Sequence, residues 1–258
     1  MSHDPTPPAS PAVAAAGGPP PSIAGRSPRQ LGGRMSILAR QRADHARLDR
    51  LMARARETLG PGDEREHARA LRALARLVFT HAFAEEAVLF PAARRVLPEG
   101  DPLTLRIETD HQEVDDVVAD LDGSDRAEPG HVELMEHAFA VLDHDVRTEE
   151  DELLPRLQQL LGPWRLRLLG LQWELVRRIS PTRPHPVVSR RPPGQTLSAL
   201  PLTVLDRGRD NLQRLDERTG HRFRTRLATL DRALAAAAGA VEQLPIMQRG
   251  ERRETSRS

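Results

Sequence analysis

The sequence predicts an all-α fold: an up-down-up-down antiparallel four-helix bundle with a disordered N-terminal tail and a helical C-terminal extension. Three observations carry this. Apolar residues recur at helical spacing from Arg34 to about Ile179, and strand-like alternation is lacking. The breaks between the first four helical runs are about three to eight residues, which favours antiparallel neighbours. Residues 1–33 (with PTPPASPAVAAAGGPPPS) are rich in Pro, Ala, Gly and Ser and hold too little apolar surface to build a core.

Each element has its own punctuation. The first helix is expected over about 34–59, stopping at Gly60-Pro61-Gly62. The second runs from about 64 into the low 90s, with Pro91 loosening its last turn. Asp101-Pro102 supplies an N-cap and a first-turn proline for the third, which ends at Asp122-Gly123. The fourth begins near Pro129 and reaches about Leu161, again with a proline, Pro155, near its end. Gly162-Pro163 opens a shorter fifth helix over 164–179, which completes a domain of residues 34–180. Residues 181–201 (PTRPHPVVSRRPPGQTLSALP) read as a proline-rich linker. Residues 202–241 form one or two further amphipathic helices broken near Thr219-Gly220, and 242–258 form a polar tail.

Composition removes several function classes. The 258 residues contain no Cys, so disulfides, thiolate metal sites and thiol nucleophiles are excluded. They also contain no Tyr, which rules out tyrosyl radical chemistry, and no Lys, so all 38 basic residues are Arg. Against 37 acidic residues these give no electrostatic case for nucleic acid or an anionic membrane. Neither a spanning apolar run nor a signal-peptide pattern is present, and a cytoplasmic protein is expected.

The apolar seams are less ordinary. The first helix lines up Leu38, His45, Leu48, Met52, Ala55 and Leu59, and the second Leu71, Leu74, Val78, His81, Glu85 and Val88. The third presents Ile107, His111, Val114, Val118 and Leu121, and the fourth Leu134, His137, Val141 and His144. One histidine on a core face is ordinarily a hydrogen-bonded core residue. Histidine on all four seams, with a glutamate among them, demands that several buried polar groups be satisfied together, which a shared metal does.

A length check places these groups at one height. At about 1.5 Å per residue, His45 lies roughly 21 Å and His81 roughly 25 Å from the first turn. Glu85 and His111 lie about 15 and 13 Å from the second. His111 and His144 lie about 15 and 21 Å from the third.

Two runs echo each other: HAFAEEAVLFP from His81 and HDVRTEEDELLP from His144. With His45 and His111, this pattern resembles the hemerythrin-like, or HHE cation-binding, family over roughly residues 35–160. The matching positions, and so the metal ligands the resemblance implies, are His45, His81, Glu85, His111, His144 and Glu149. It implies two non-haem iron ions bridged by carboxylates and an oxo or hydroxo species. It further implies a small ligand (dioxygen, nitric oxide or peroxide), and binding or sensing is favoured over committed catalysis.

The second run departs from helical geometry. His81 and Glu85 are four apart and share a face, whereas His144 and Glu149 are five apart, splayed by about 140° in a regular helix. A π-type turn between them would restore the alignment, with no such turn needed in the second helix and Glu150 pointing to solvent or an arginine. Asp115, four after His111, is either a ligand or an outer contact.

Two other readings compete. A ferritin-like di-iron carboxylate protein would use Glu-x-x-His pairs, of which Glu64–His67 and Glu108–His111 have the spacing, but it needs a long crossover that short connections do not provide. A metal-free helical interaction module would leave the Glu pairs as solvated faces. His67 lies too far along its helix to join the site. His137 reads as structural, His131 and His221 as exposed, and His185 as a linker residue. The C-terminal helices have an apolar stripe suited to capping the bundle or to a homodimer.

Overall fold

The computed structural model describes residues 20–124, 128–219, 222–250 and 252. Among them every regular element is helical: α1 (Ile37–Glu57), α2 (Glu64–Ala84), α3 (Phe90–Val96), α4 (Gly100–Gly123), α5 (Gly130–Thr148), α6 (Leu154–Leu160), α7 (Pro163–Arg178), α8 (Gly194–Arg218) and α9 (Arg224–Glu242). Single π-helical stretches, Glu85–Leu89 and Glu149–Leu153, join α2 to α3 and α5 to α6, making two long continuous rods.

The rods form because their apolar residues recur on one face, and they stop where the chain supplies breakers. After α1 the backbone reverses at Gly62, whose φ of 93° is a left-handed conformation that glycine alone adopts freely. α1 packs on α2, α4 on α5, and α7 lies across α1 and α2. The last contact is close. A Cβ at Gly170 would run into the carbonyl oxygen of Met35, so only glycine admits this approach.

The apolar core is in two parts. One contains Leu38, Leu89, Phe90, Ile107, Leu153 and Trp173, and the other Leu48, Met52, Val78, Val114, Phe139 and Leu142. Each rod contributes to both, and between its contributions each places a polar stretch. On α1, Gln41 and His45 lie between Leu38 and Leu48; on α4, His111 lies between Ile107 and Val114. The fold thus holds a polar layer between two apolar ones.

Three expectations about the flanks are corrected. Residues 20–33 are no free tail: Ile23 and Leu31 are fully buried, and the Ile23 N–H donates to the Glu150 carbonyl at 2.9 Å. Two large aliphatics suffice because each gains about 1.5–3 kcal/mol on burial, which composition averaging hid. Residues 1–19 of the expected tail lie outside the described residues. The expected linker 181–201 is shorter, since α8 begins at Gly194 and continues through Pro201. A proline in a helix removes one backbone donor and strains one turn, and the surrounding contacts tolerate that here. Of the polar tail 242–258, the part to Arg249 docks: Ser189 and Gly194 donate backbone N–H groups to the carbonyls of Met247 and Arg249 at 2.9 and 3.0 Å.

The other histidines also sort themselves. His131, expected to be exposed, is buried against His67, with their Nε2 atoms 3.3 Å apart. His137 is exposed. The His185 side chain is buried between Asp206 (3.1 Å) and Glu242 (2.8 Å), so it clamps the C-terminal segment together. His221 lies outside the described residues.

Candidate metal centre

The polar layer is made of pairs four residues apart on regular helix, which places both members on one face. α2 supplies His81 and the π turn that follows it Glu85, and α5 supplies Asp145 and the π turn that follows it Glu149; α1 adds His45 and α4 adds His111. Donor atoms of His45, His81, Glu85 and Glu149 lie within 4.8 Å of one another, and so do those of His111, Asp145 and Glu149. Glu149 belongs to both groups. Glu85 also reaches both sides, with one oxygen 3.0 Å from His81 Nε2 and the other 3.6 Å from His111 Nε2.

Five of the six sequence-derived positions meet in this layer; His144 does not. Its side chain is 66% exposed, 3.9 Å from Asp110, and Asp145 takes the inward place. The reason is the helical period: α5 is regular through Thr148, so the residue facing inward with Glu149 is the one four before it. The signal was present as D-x-x-x-E, parallel to H-x-x-x-E on α2, and matching by residue type obscured it.

The π turns also differ from expectation. The widened turn on the second rod follows Glu149 instead of preceding it, and the first rod has an equivalent one after Glu85. In each, the N–H of the residue just before the proline (Phe90 and Leu154) donates to the ligand glutamate's own carbonyl, five residues back. Pro91 and Pro155 have no N–H to continue the regular ladder, which favours a local change of pitch at the same place in both rods.

That change of pitch brings two successive glutamates inside. Glu85 and Glu149 are fully buried, and Glu86 and Glu150 nearly so. The second of each pair turns to a histidine: Glu86 Oε1 is 2.9 Å from His111 Nδ1, and Glu150 Oε1 is 2.6 Å from His45 Nδ1. Asp44 does the same for His81 Nδ1 at 3.4 Å. A carboxylate on Nδ1 makes that nitrogen the proton donor and leaves Nε2 to face a metal. Glu150 therefore does meet an arginine (Arg42, at 2.9 Å), but from inside the layer.

The Glu86 side is closed by the chain after α7. Arg190 is buried and bonds Glu86 at 2.8 Å, Asp115 at 2.6 Å and Gln112 at 3.1 Å. Asp115 is thus an outer contact. Nothing in the sequence marked Arg190, Gln41 or Asp44; Gln41 Nε2 donates to Glu85 Oε1 at 2.6 Å.

The electrostatics fit a cation. Burial alone would depress the His45 imidazole, but the Glu149 and Glu150 carboxylates beside it outweigh that and hold it at about 9. Burial likewise opposes the charge on His81 and His111, yet Glu85 and Asp44 around the first and Asp145 and Glu86 around the second raise both well above the ordinary range. Burial, followed by Glu85 alongside, pushes the Glu149 carboxyl up to about 7. A layer so rich in carboxylate must be neutralised by protons or by cations. Several of its buried atoms have no hydrogen-bond partner among the described residues: Nε2 of His45 and His111, both Glu149 oxygens, one oxygen each of Glu85 and Asp145. Orphaned donors of this kind, imidazole nitrogen and carboxylate oxygen turned to one centre, fit a hard or borderline metal ion.

An all-helical domain with such a layer is of the cation-binding class. Residues 36–157 match the hemerythrin HHE cation binding domain, in line with the resemblance read from the sequence. An uncharacterized hemerythrin-like protein of Schizosaccharomyces pombe is 22% identical over 135 residues, 52% of this chain and 66% of the relative's length. No solved structure matches the chain.

Proposed function

We propose that residues 36–157 form an up-down-up-down four-helix bundle around two adjacent non-haem iron ions, and that this centre binds or senses dioxygen, nitric oxide or peroxide. The observation that carries the reading is the shared carboxylate: Glu149 lies in both donor groups, with Glu85 reaching from one to the other. One position would use His45 and His81, the other His111 and Asp145. Imidazole and carboxylate without thiolate suit iron, and helical bundles build di-iron sites from such residues. When bound, the ions would supply one- and two-electron chemistry toward small oxygen and nitrogen species.

The chain's own residues do the rest. Glu150, Asp44 and Glu86 fix the tautomers of His45, His81 and His111, and Gln41 fixes Glu85. Phe90, stacked 5.7 Å from His111, and Trp173, edge-on 5.6 Å from His81, keep bulk water out. A cavity of about 10 Å³ lies beside His81, His111 and Asp145. Space for a single water-sized occupant favours a diatomic or peroxide over a larger substrate.

Among the described residues no helix is long and apolar enough to cross a membrane, in keeping with the proposed cytoplasmic location. An exposed stripe of Trp164, Leu168, Leu171 and Leu175 on α7, with Leu197, Leu200 and Val204 on α8, supports self-association as a homodimer. The deciding experiment is an iron assay on purified protein, then anaerobic reduction and exposure in turn to dioxygen, nitric oxide and peroxide. About two irons per chain and a reversible spectral change with one of them supports the reading; protein that cannot be loaded with iron overturns it.

A further inference from the structure

Away from the metal layer, the C-terminal segment roofs over a gap in the helical domain. Its walls come from α2, α4, α5 and α8, and they leave a cavity of about 590 Å³ that is open to solvent at its mouth. That volume falls in the range of small-molecule sites, which occur between helices and combine apolar walls with a few placed polar groups. The floor is apolar: Leu71, Leu74 and Phe79 of α2, Val118 and Leu121 of α4, and Phe139 of α5. The rim is basic. Arg47, Arg69, Arg72, Arg76, Arg183 and Arg214 line it against only Asp210 and Glu217, a surplus of four positive charges in a chain whose net charge is +1.

The two carboxylates do not quench this surplus. Asp210 is shared by Arg76 at 2.5 Å and Arg183 at 3.6 Å, and Glu217 by Arg72 at 2.5 Å and Arg69 at 3.8 Å; Arg69 also meets Glu66, just outside the lining, at 2.8 Å, so the rim keeps more guanidinium than carboxylate. Among the described residues no carboxylate pairs with Arg47 or Arg214. The Arg76 guanidinium feels the crowding: burial, and then Arg207, Arg214 and Arg183 nearby, lower its pKa despite Asp210. A second hollow shares Arg47 and Arg76 and adds Arg207, with Arg177 and Arg178 paired there to Glu174.

We propose that this cavity binds an amphipathic organic anion, an aliphatic chain ending in a carboxylate or phosphate. The chain would lie on the leucine and phenylalanine floor and the head would sit at the mouth among Arg47, Arg183 and Arg214. A cationic or neutral amphiphile lacks the head that this rim selects. The site stands independently of the metal, although Val78 and Leu142 line both this cavity and the small one beside His111 and Asp145. An occupant would therefore press on one wall of the metal layer.

The test is calorimetric titration of the full chain, with and without metal, using dodecanoate, dodecyl phosphate and dodecyltrimethylammonium below their micelle concentrations. Saturable one-to-one binding of either anion is expected, with the cation at least about tenfold weaker, the loss of one charged contact. Whether dodecanoate or dodecyl phosphate binds tighter separates a free acid from a phosphate ester as the source. Ala75→Trp, which places a large side chain from α2 in the cavity, should abolish binding with metal content unchanged. The surface double variant Arg47→Gln/Arg214→Gln, which touches no core residue, should weaken it about tenfold and so decides the matter even if the Ala75 variant does not fold. Absence of saturable binding, as when a segment of the chain or a second copy fills the cavity, overturns the proposal. So does equal affinity for the cation, or affinity unmoved by the arginine variant.

Discussion

The two Glu-Glu copies share a backbone device and differ in what stands behind it. Each puts its first glutamate at the centre of the layer and its second on a histidine Nδ1. Behind Glu150 stands Arg42, from α1 of the same domain, on a side chain 27% exposed. Behind Glu86 stands Arg190, 8% exposed and delivered by the segment after α7, with Gln195 of α8 adding a bond at 3.1 Å. The arginine behind Glu150 lies within residues 36–157, while the one behind Glu86 comes from a segment outside them. A motif search reads the shared half of this design and misses the borrowed half.

Removing what the copies share should have the largest effect. Glu149→Ala deprives both donor groups of their common member, and bound metal should fall to near zero while helicity by circular dichroism is kept. Metal retained at wild-type stoichiometry would remove the bridging role. Glu85→Ala should act in the same direction.

The comparison itself is tested by the two arginines. Arg190→Gln leaves Glu86 and Asp115 buried without their cation and should cost about 3–5 kcal/mol in urea unfolding. Arg42→Gln should cost about 1 kcal/mol or less, because water reaches that pair. Equal losses would mean that the two copies are supported alike.

His185 should report on the clamp that delivers Arg190. Its folded-state pKa of about 9 lies above the ordinary 6.5, because Asp206 and Glu242 outweigh burial. A raised histidine pKa stabilises the fold fully below the unfolded value and loses that contribution as pH rises through the folded one. Wild type should therefore exceed His185→Gln by about 3 kcal/mol at pH 6, an order-of-magnitude figure, with the gap closing by about pH 9. A gap constant across that range would assign the residue to packing alone.

The smallest effects separate neighbours on α5. Asp145→Ala should lower metal stoichiometry, whereas His144→Ala should leave stoichiometry and stability alone. The reverse result would restore the five-residue spacing of the sequence reading.

These cases show what was legible. Helical class and the polar height on four rods could be read, because periodicity and rise per residue are local properties of the chain. His144 misled because residue type was weighed above the four-residue period that α5 keeps. The paired π turns were half anticipated: their cause lies in Pro91 and Pro155, downstream of the glutamates, whereas the five-residue spacing from His144 pointed upstream. Arg190 was illegible, since nothing local distinguishes an arginine in SRRPPG that is destined for burial from one that stays solvated. Ile23 and Leu31 were lost in an averaged composition, although two well-placed aliphatics are enough to dock a strand of chain.

The polar layer has a consequence for how the molecule opens. Two apolar clusters that meet only across ionisable groups have little reason to unfold as one unit when those groups repel each other. Backbone amides on either side should then exchange with solvent through separate subglobal openings, each with its own free energy. A multivalent ion held by side chains of α1, α4 and the two rods would tie those openings together, so that protection on the two sides rises to a common value. Metal would act there as the source of cooperativity, apart from whatever chemistry it performs.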